Sequence, residues 1–229
     1  LSVRGAIEDA ATAFINNPVQ IAGAGRTDSG VHALGQMAHL DVPEKFTTNR
    51  VVEALNSHLY NLPITIRSAV QVPKDFHARF QAIRRCYLYR ILPRRQPPAL
   101  NKERVWHHKQ SLDASLMIKA AKFLTGKHDF SSFRSSSCQA ESPVKTLDRL
   151  EVIKVDEEIH IHAEAKSFLH HQIRNIAGTL SFVGSGKWKP SKVKDVLLAA
   201  DRGIAGPKAP AKGLYLVSVH YPPMPPVID

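Results

Sequence analysis

Cysteine is scarce in this chain: Cys86 and Cys138 are the only two among 229 residues. Two isolated cysteines give neither a disulfide framework nor a zinc-ligand spacing. Free thiols in a reducing, cytoplasmic compartment are therefore expected. No apolar run approaches the roughly 20 residues that span a bilayer, so no membrane partner is expected. The opening residues do not read as a signal peptide. The chain starts at Leu1, already inside a helix-like segment, and native sequence ahead of it is expected. Long polar low-complexity tracts are lacking too, and with 43% hydrophobic residues this excludes a disordered chain. Acidic residues are in deficit: 31 Lys and Arg against 20 Asp and Glu leave a formal charge of +11. A polyanion suits such a surface through phosphate contacts and counterion release, although an unspecialised basic surface fits the charge equally well.

The hydrophobic periodicity gives two α+β halves. Val3, Ile7, Ala11, Phe14 and Ile15 recur at helical spacing behind Ser2, an N-cap residue type. Residues 19–22 read as a short strand entering a glycine-rich loop at 23–30, and Ala38, Leu40 and Val42 alternate as a half-buried strand does. Val52, Leu55 and Leu59 fit a second helix. Ile64, Ile66, Val70 and Val72 fall on one face of a long strand. One further strand ahead of Leu1 would complete a ferredoxin-like β-α-β-β-α-β unit. In the second half, Tyr87, Tyr89 and Ile91 share a strand face, and a strand is expected near 105–107. A helix runs from Asp113 to Leu124 with Gly126 as its stop. Residues 148–155 and 158–165 alternate and join across a tight turn at Asp156 and Glu157. Leu169, Ile173, Ile176, Leu180 and Val183 form a helical stripe. A helix at 191–200, a strand at 214–220 and a proline-rich tail close the chain. The division is placed between residues 1–77 and 78–229.

The most informative stretch is Gly23-Ala24-Gly25-Arg26-Thr27-Asp28-Ser29-Gly30-Val31-His32. Its glycines permit close approach of a ligand, and a cation and a carboxylate sit between them. A dinucleotide fingerprint fails, because Asp28 occupies its third glycine position and would repel a pyrophosphate. A P-loop fails as well: Gly184-Ser185-Gly186-Lys187 is followed by Trp188, and Ser181 stands where the first glycine belongs. On spacing alone, a glycine-rich turn with a surface ion pair remains the simpler reading.

Five ordered segments alter that balance. The stretch from Gly25 to His32, continuing to Gly35-Gln36, resembles the signature of TruA-type tRNA pseudouridine synthases. Asp75-Phe76-His77-Ala78-Arg79-Phe80 with Arg85-Cys86-Tyr87-Leu88-Tyr89 is similar to the family's second motif. Asp129-Phe130-Ser131-Ser132-Phe133-Arg134 with Cys138-Gln139 resembles the third. Residues 167–175, Ser-Phe-Leu-His-His-Gln-Ile-Arg-Asn, resemble the fourth, and residues 209–216 the fifth. Two departures are visible: the family's first strand and its Tyr-Asp-Gly turn have no counterpart here, and Lys145 stands where arginine is common.

The resemblance implies an α+β pseudouridine synthase fold, with two ferredoxin-like (RNP-like) halves forming a central antiparallel sheet flanked by helices and a basic cleft between the halves. It implies an isomerase that converts uridine to pseudouridine in the tRNA anticodon stem-loop, on the 3′ side of the anticodon, and that works as a homodimer. It assigns Asp28 as the catalytic carboxylate, Arg174 as its cation, Tyr87 as an active-site tyrosine, Arg26 as the arginine filling the space of the displaced nucleotide, and Leu214 as lining the uracil pocket. Without it, Arg174 reads as a solvated helix arginine, Tyr87 as sheet packing and Leu214 as a core leucine. Arg79 and Arg85, with Arg84, Arg94 and Arg95, flank Tyr87 and are candidates for RNA phosphate contacts; a solvated basic face is the alternative, as it is for the lysines at 187–194. His32 reads as a loop brace. The pairs His107-His108 and His170-His171 lack metal-ligand spacing, and the chemistry requires neither metal nor redox cofactor. An RNA-binding module without catalysis would share the charge and fold; an N-glycosidase using Asp28 would release free uracil.

Overall fold

The computed structural model describes residues 2–223; the proline-rich end of the chain, from 224 onward, lies outside the described residues. The chain forms two compact units. One comprises the described parts of Leu1–Arg26, Gln36–Ala82 and Tyr221–Asp229; the other comprises Thr27–Gly35 and Ile83–His220.

In the first unit, helix α1 (Val3–Ile15) starts at Ser2, whose hydroxyl accepts from the Gly5 amide, and stops at Asn16 in the left-handed conformation. Helix α2 (Thr48–His58) is capped in the same way by Thr47. Ala6, Ala10 and Ala11 of α1 pack with Val51, Leu55 and Leu59 to make a small core. Strand β1 (Ala22–Gly23) meets β3 (Ala38–His39) in an antiparallel pair. The long strand expected over 64–72 carries no ladder among the described residues. A side chain replaces a strand partner there: the Asn56 carboxamide accepts from the Ile66 amide and donates to the Ile66 carbonyl, both at 2.8 Å. Helix side chains serve the chain before β1 in the same manner, with Glu8 accepting from Ile21 N and Thr12 from Val19 N. Periodicity registers which face is apolar, not which group satisfies the backbone, so the two cases look alike in sequence.

The second unit is built on a six-stranded sheet. Its strands are β2 (His32–Ala33), β4 (Arg84–Pro93), β5 (Trp106–His108), β8 (Arg149–Val155), β9 (Glu158–Ala165) and β10 (Leu214–His220), in the order β2-β10-β4-β9-β8, with β5 pairing beyond β10 along β4. The sheet is mixed, which corrects the expected antiparallel one: β2 runs parallel to β10, and β5 parallel to β4. Both parallel pairs join segments separated by long connections, which can enter in either direction, whereas only tight hairpins force antiparallel pairing. Such a hairpin does join β8 to β9, with Asp156 at φ 52° in its turn. A separate two-stranded ribbon, β6 (Gly126–Asp129) and β7 (Val144–Leu147), had no signal in the periodicity.

Along β9 every second residue is buried, so Ile159, Ile161, Ala163 and Ala165 face the core. On that face pack α3 (Ala114–Ala121), capped by Asp113 and extended by a short 3-10 turn to Leu124, and α4 (Gln172–Gly184). Helix α5 (Lys192–Leu198) adds Val193, Val196 and Leu197 to the same core. The opposite sheet face pairs its charges across strands: Arg90 grips Glu158 through two hydrogen bonds of 2.8 and 2.7 Å, and Arg149 reaches Glu164 at 3.0 Å. Among the described residues no helix is long and apolar enough to cross a membrane.

Helix α4 is buried almost all round, not only along its apolar stripe. Gly178 is why. A Cβ there would sit 1.6 Å from the Pro207 carbonyl oxygen, and one on Gly206 would sit 2.6 Å from Thr179 Cα. Backbone therefore lies directly on backbone, and the 206–209 segment is held against α4. Gly178→Ala is expected to destabilise by more than about 1–3 kcal/mol and to lower Tm by roughly 2–4 °C per kcal/mol. Gly25→Ala, where nothing lies within 4 Å of the added carbon, is expected to melt near the wild type. Equal melting temperatures for the two variants, read by calorimetry, would contradict this packing.

Candidate active site

Asp28 lies in a turn that the second unit holds at both ends. The Val31 amide donates to the Asp28 carbonyl at 3.0 Å, closing a four-residue turn whose third position, Gly30, has φ +80°. That conformation favours glycine. Val31 then packs on the main core and β2 joins the sheet beside β10. His32 braces the exit: its Nε2 lies 2.9 Å from the Glu103 carbonyl, and its ring stacks on Tyr215 at 4.8 Å.

The carboxylate of Asp28 faces the start of α4. Arg174 Nη1 donates to Oδ2 at 2.7 Å, while Arg174 Nε donates to the Ala209 carbonyl at 2.8 Å. The Ala209 amide in turn donates to the Arg174 carbonyl at 3.1 Å. The 206–209 segment thus fixes the guanidinium before it meets Asp28. The side chain of Arg174 is only 10% exposed and that of Asp28 25%, so this is a largely desolvated charge pair, strong only because its geometry is good. His171 Nε2 approaches Oδ2 to 3.1 Å, and His170 Nε2 lies 3.1 Å from Oδ1. The two imidazoles lie against each other at 3.8 Å. His171 stands at the N-cap of α4 with φ 65°, a left-handed conformation costing on the order of 1–2 kcal/mol for a residue with a Cβ. It does not cap the helix; its ring goes to the carboxylate.

Burial works to raise the pKa of Asp28. The Arg174 hydrogen bond, the positive charges around it and the His170 hydrogen bond outweigh burial and hold the carboxyl below its usual range. Burial, with Lys208 and Arg174 adding like charge, lowers the pKa of His171 despite the attraction of Asp28. His171 is thus pushed toward its neutral form, and Arg174 is the fixed cation of the site.

Tyr87, on β4, packs edge-on against Phe168 at 5.2 Å. Burial pushes its phenol up to about 12, with Arg85 pulling down and the Asp28 charge pushing up. Tyr87 is thus a neutral hydroxyl in the electrostatic field of Asp28. Tyr89 is fully buried and donates to the Pro210 carbonyl at 2.7 Å. Leu214 is 8% exposed and stands opposite Tyr89 in the ladder. Arg85 is buried and donates to the Lys166 carbonyl. Arg26 is exposed, and Arg79 is exposed beside the Phe80 ring; both belong to the first unit. Arg94 is bonded to Glu157 at 2.5 Å. The structure thus brings Asp28 and Arg174 into contact and sets Tyr87 and Arg85 within electrostatic reach of each other.

Sequence reasoning gave His170 and His171 no part in the site. They were weighed only as a metal pair by local spacing, and their partner Asp28 lies 142 residues away. The usable signal was their place three and four residues before Arg174. The potential ligand atoms of Asp28, His170 and His171 do lie within 4.8 Å of one another. The guanidinium already on Oδ2, however, sets a positive charge against any cation at that carboxylate.

The chain matches the profile of the family described as tRNA pseudouridine synthase over residues 2–81 and 120–222. Among similar curated proteins, tRNA pseudouridine synthase A of Rhodospirillum rubrum is 50% identical over 221 residues, covering 96% of this chain and 80% of that protein. The protein of the same name from Paramagnetospirillum magneticum is 52% identical, with 96% and 86% covered. That from Caulobacter vibrioides is 54% identical over 220 residues, with 96% and 89% covered.

Removing the cation should expose its role. In Arg174→Gln the pKa of Asp28 is expected to rise, and stability to fall by about 1–3 kcal/mol, discounted from a fully buried pair for the exposure of Asp28. The folded-state pKa is depressed below an unfolded value of about 3.9. The pair's stabilisation is therefore present above that value and is lost as pH falls through the folded pKa. Urea unfolding of wild type and variant should show a constant gap above about pH 5 that closes below about pH 4. A gap that widens on acidification would contradict the pairing.

Proposed function

The chain belongs to the tRNA pseudouridine synthase family, and on that premise we propose that it isomerises uridine to pseudouridine in tRNA with Asp28 as the catalytic carboxylate. The observation that carries the proposal is the Asp28 carboxylate itself: ionised at neutral pH, three-quarters withdrawn from solvent and held by Arg174 at 2.7 Å.

The reaction breaks the C1′–N1 bond, turns the uracil and joins C5 to C1′. An oriented carboxylate serves the first step either by attacking C1′ or by taking a sugar proton. Arg174 keeps it ionised and fixes its direction. The target nucleotide must leave its helical stack to reach Asp28, at a cost of a few kcal/mol. In this reading Arg26 fills the vacated space. Tyr87 stacks on the extruded uracil, its neutral hydroxyl serving as a donor, since a phenol with a pKa near 12 is a poor base at pH 7. Leu214 supplies an apolar wall. Arg79 contributes positive charge toward RNA phosphates, and Arg85 supports the electrostatics of Tyr87. The substrate region is the anticodon stem-loop on the 3′ side of the anticodon, the enzyme a cytoplasmic homodimer, and its two halves, 1–77 and 78–229, ferredoxin-like. The net charge of +11 supports recognition of an RNA by its shape and phosphates.

Tritium release from tRNA labelled at uridine C5 tests this directly. Wild-type enzyme is expected to release tritium and to leave no free uracil, and Asp28→Asn to lose at least about a thousandfold in rate, or roughly 4 kcal/mol of transition-state stabilisation. Free uracil would identify an N-glycosidase, and the absence of release a binding module. Arg79→Ala is expected to weaken tRNA binding and to lower the slope of log Kd against log salt by about one. An unchanged slope would remove Arg79 from the phosphate contacts.

A further inference from the structure

The two oxygens of Asp28 are held very differently. Oδ2 receives Arg174, 10% exposed and anchored by Ala209, and has His171, 15% exposed, against it. Oδ1 has His170, whose side chain is 40% exposed. A carboxylate only accepts, so the short contact requires the proton of His170 to sit on Nε2. In the neutral ring the other nitrogen accepts, and the Ser137 hydroxyl, 3.3 Å from Nδ1, stands where it can donate its own hydrogen to it. Ser137 is itself 3.0 Å from Ser135 Oγ. The same loop clasps the His170 backbone: the Ser135 amide donates to its carbonyl at 3.0 Å, and its amide donates to Cys138 Sγ at 3.4 Å. Arg134 closes the loop by donating to the carbonyls of Cys138 and Ala140. His170 thus has a fixed backbone and a solvent-accessible ring that stands between the Ser137 hydroxyl and one oxygen of the carboxylate.

Resting on the assignment of Asp28 as the catalytic carboxylate, we infer that Oδ1 is the oxygen that engages the target ribose, and that His170, oriented by Ser137, is the positioning residue that holds Oδ1 in line until the nucleotide takes its place. Oδ2 cannot serve without breaking the anchored guanidinium contact; Oδ1 is released by a half-exposed ring turning toward solvent. Either first step balances on this oxygen alone. In attack, Oδ1 donates a lone pair to C1′, the C1′–N1 bond breaks and its electron pair goes to the uracil. In proton removal, Oδ1 takes H2′, the C2′–H electrons form C1′=C2′, and the same pair leaves on N1. His170 in this tautomer offers no lone pair at Nε2, so it is not the base. It orients the oxygen, and Ser135, Ser137 and Cys138, which follow or belong to the third sequence motif (residues 129–134 with Cys138-Gln139), hold His170 in place.

Single-turnover tritium release at saturating tRNA, with tRNA affinity measured separately, tests this with His170→Ala, His170→Gln and Ser137→Ala. Gln can place an amide N–H where the imidazole Nε2–H stands. The alanine variant is expected to lose roughly ten- to a hundredfold in the chemical step, the worth of one hydrogen bond to a charged group, with affinity within about twofold. Gln is expected to recover most of that loss, and Ser137→Ala to lose a few-fold. Thermal melts near wild type would show that the partly exposed site leaves folding intact. A His170→Ala rate equal to or above wild type, or a Gln variant as slow as the alanine one, would overturn the inference. If Asp28→Asn also reacts at the wild-type rate, the assignment of Asp28 itself has failed; if Asp28→Asn is dead, only the role of His170 has.

Discussion

One contact organises the second unit: the hydrogen-bonded charge pair between Asp28 and Arg174, 146 residues apart in the chain. Each partner is costly alone at this depth, because burial raises the pKa of the carboxylate and a buried guanidinium cannot give up its proton. The pair therefore ties the loop of 27–35 to α4, and everything around it serves to make the tie rigid. Val31 anchors the loop in the core, β2 adds it to the sheet, and Ala209 holds the guanidinium from behind.

Helix α4 shows what that rigidity requires. A helix with one apolar stripe normally leaves its other face to water, yet here Gln172, Arg174, Asn175, Thr179 and Ser181 are buried as well. Most of these polar groups are matched. Asn175 donates to the Phe133 carbonyl, Thr179 accepts from the Gly206 amide and donates to the Asn175 carbonyl, and Arg202 reaches Asn175. A satisfied buried network specifies one arrangement more sharply than apolar contact does. It fixes the register of α4 against the 206–209 segment, and hence the direction in which Arg174 points. Precision of this kind in the scaffold is what an orientation-dependent carboxylate needs.

The regular parts of this architecture were legible in the sequence. The alternation of β8 and β9, the turn at Asp156, the caps at Ser2 and Asp113 and the stripe of α4 each follow from local physics, and each lies where that physics puts it. Three features were not legible. Strands of two to four residues such as β2, β6 and β7 have too little length to show a period. The parallel edges of the sheet arise from long connections that carry no directional signal. Residues 64–72 have a strand's pattern, but Ile66 within them takes its backbone partners from the carboxamide of Asn56. The site fared in the same way. The glycine-rich loop stood out, but spacing alone favoured a surface turn, because the cation for Asp28 is supplied from far along the chain; only the resemblance across five motifs joined the two. The spacing of His170 and His171 from each other carries no sign of Asp28, the partner that both meet from far along the chain.

The claim on which the account turns is that this carboxylate meets the ribose of an extruded nucleotide. The most direct measurement is a crystal structure of the enzyme bound to tRNA carrying a uridine analogue that cannot complete the isomerisation. The account predicts Asp28 Oδ1 at about 3–3.5 Å from C1′ or the C2′ hydrogen-bearing carbon of that nucleotide, with Arg174 still on Oδ2 and the His170 ring turned aside. A carboxylate remote from every sugar, with the Arg174 guanidinium out in bulk water, would contradict it.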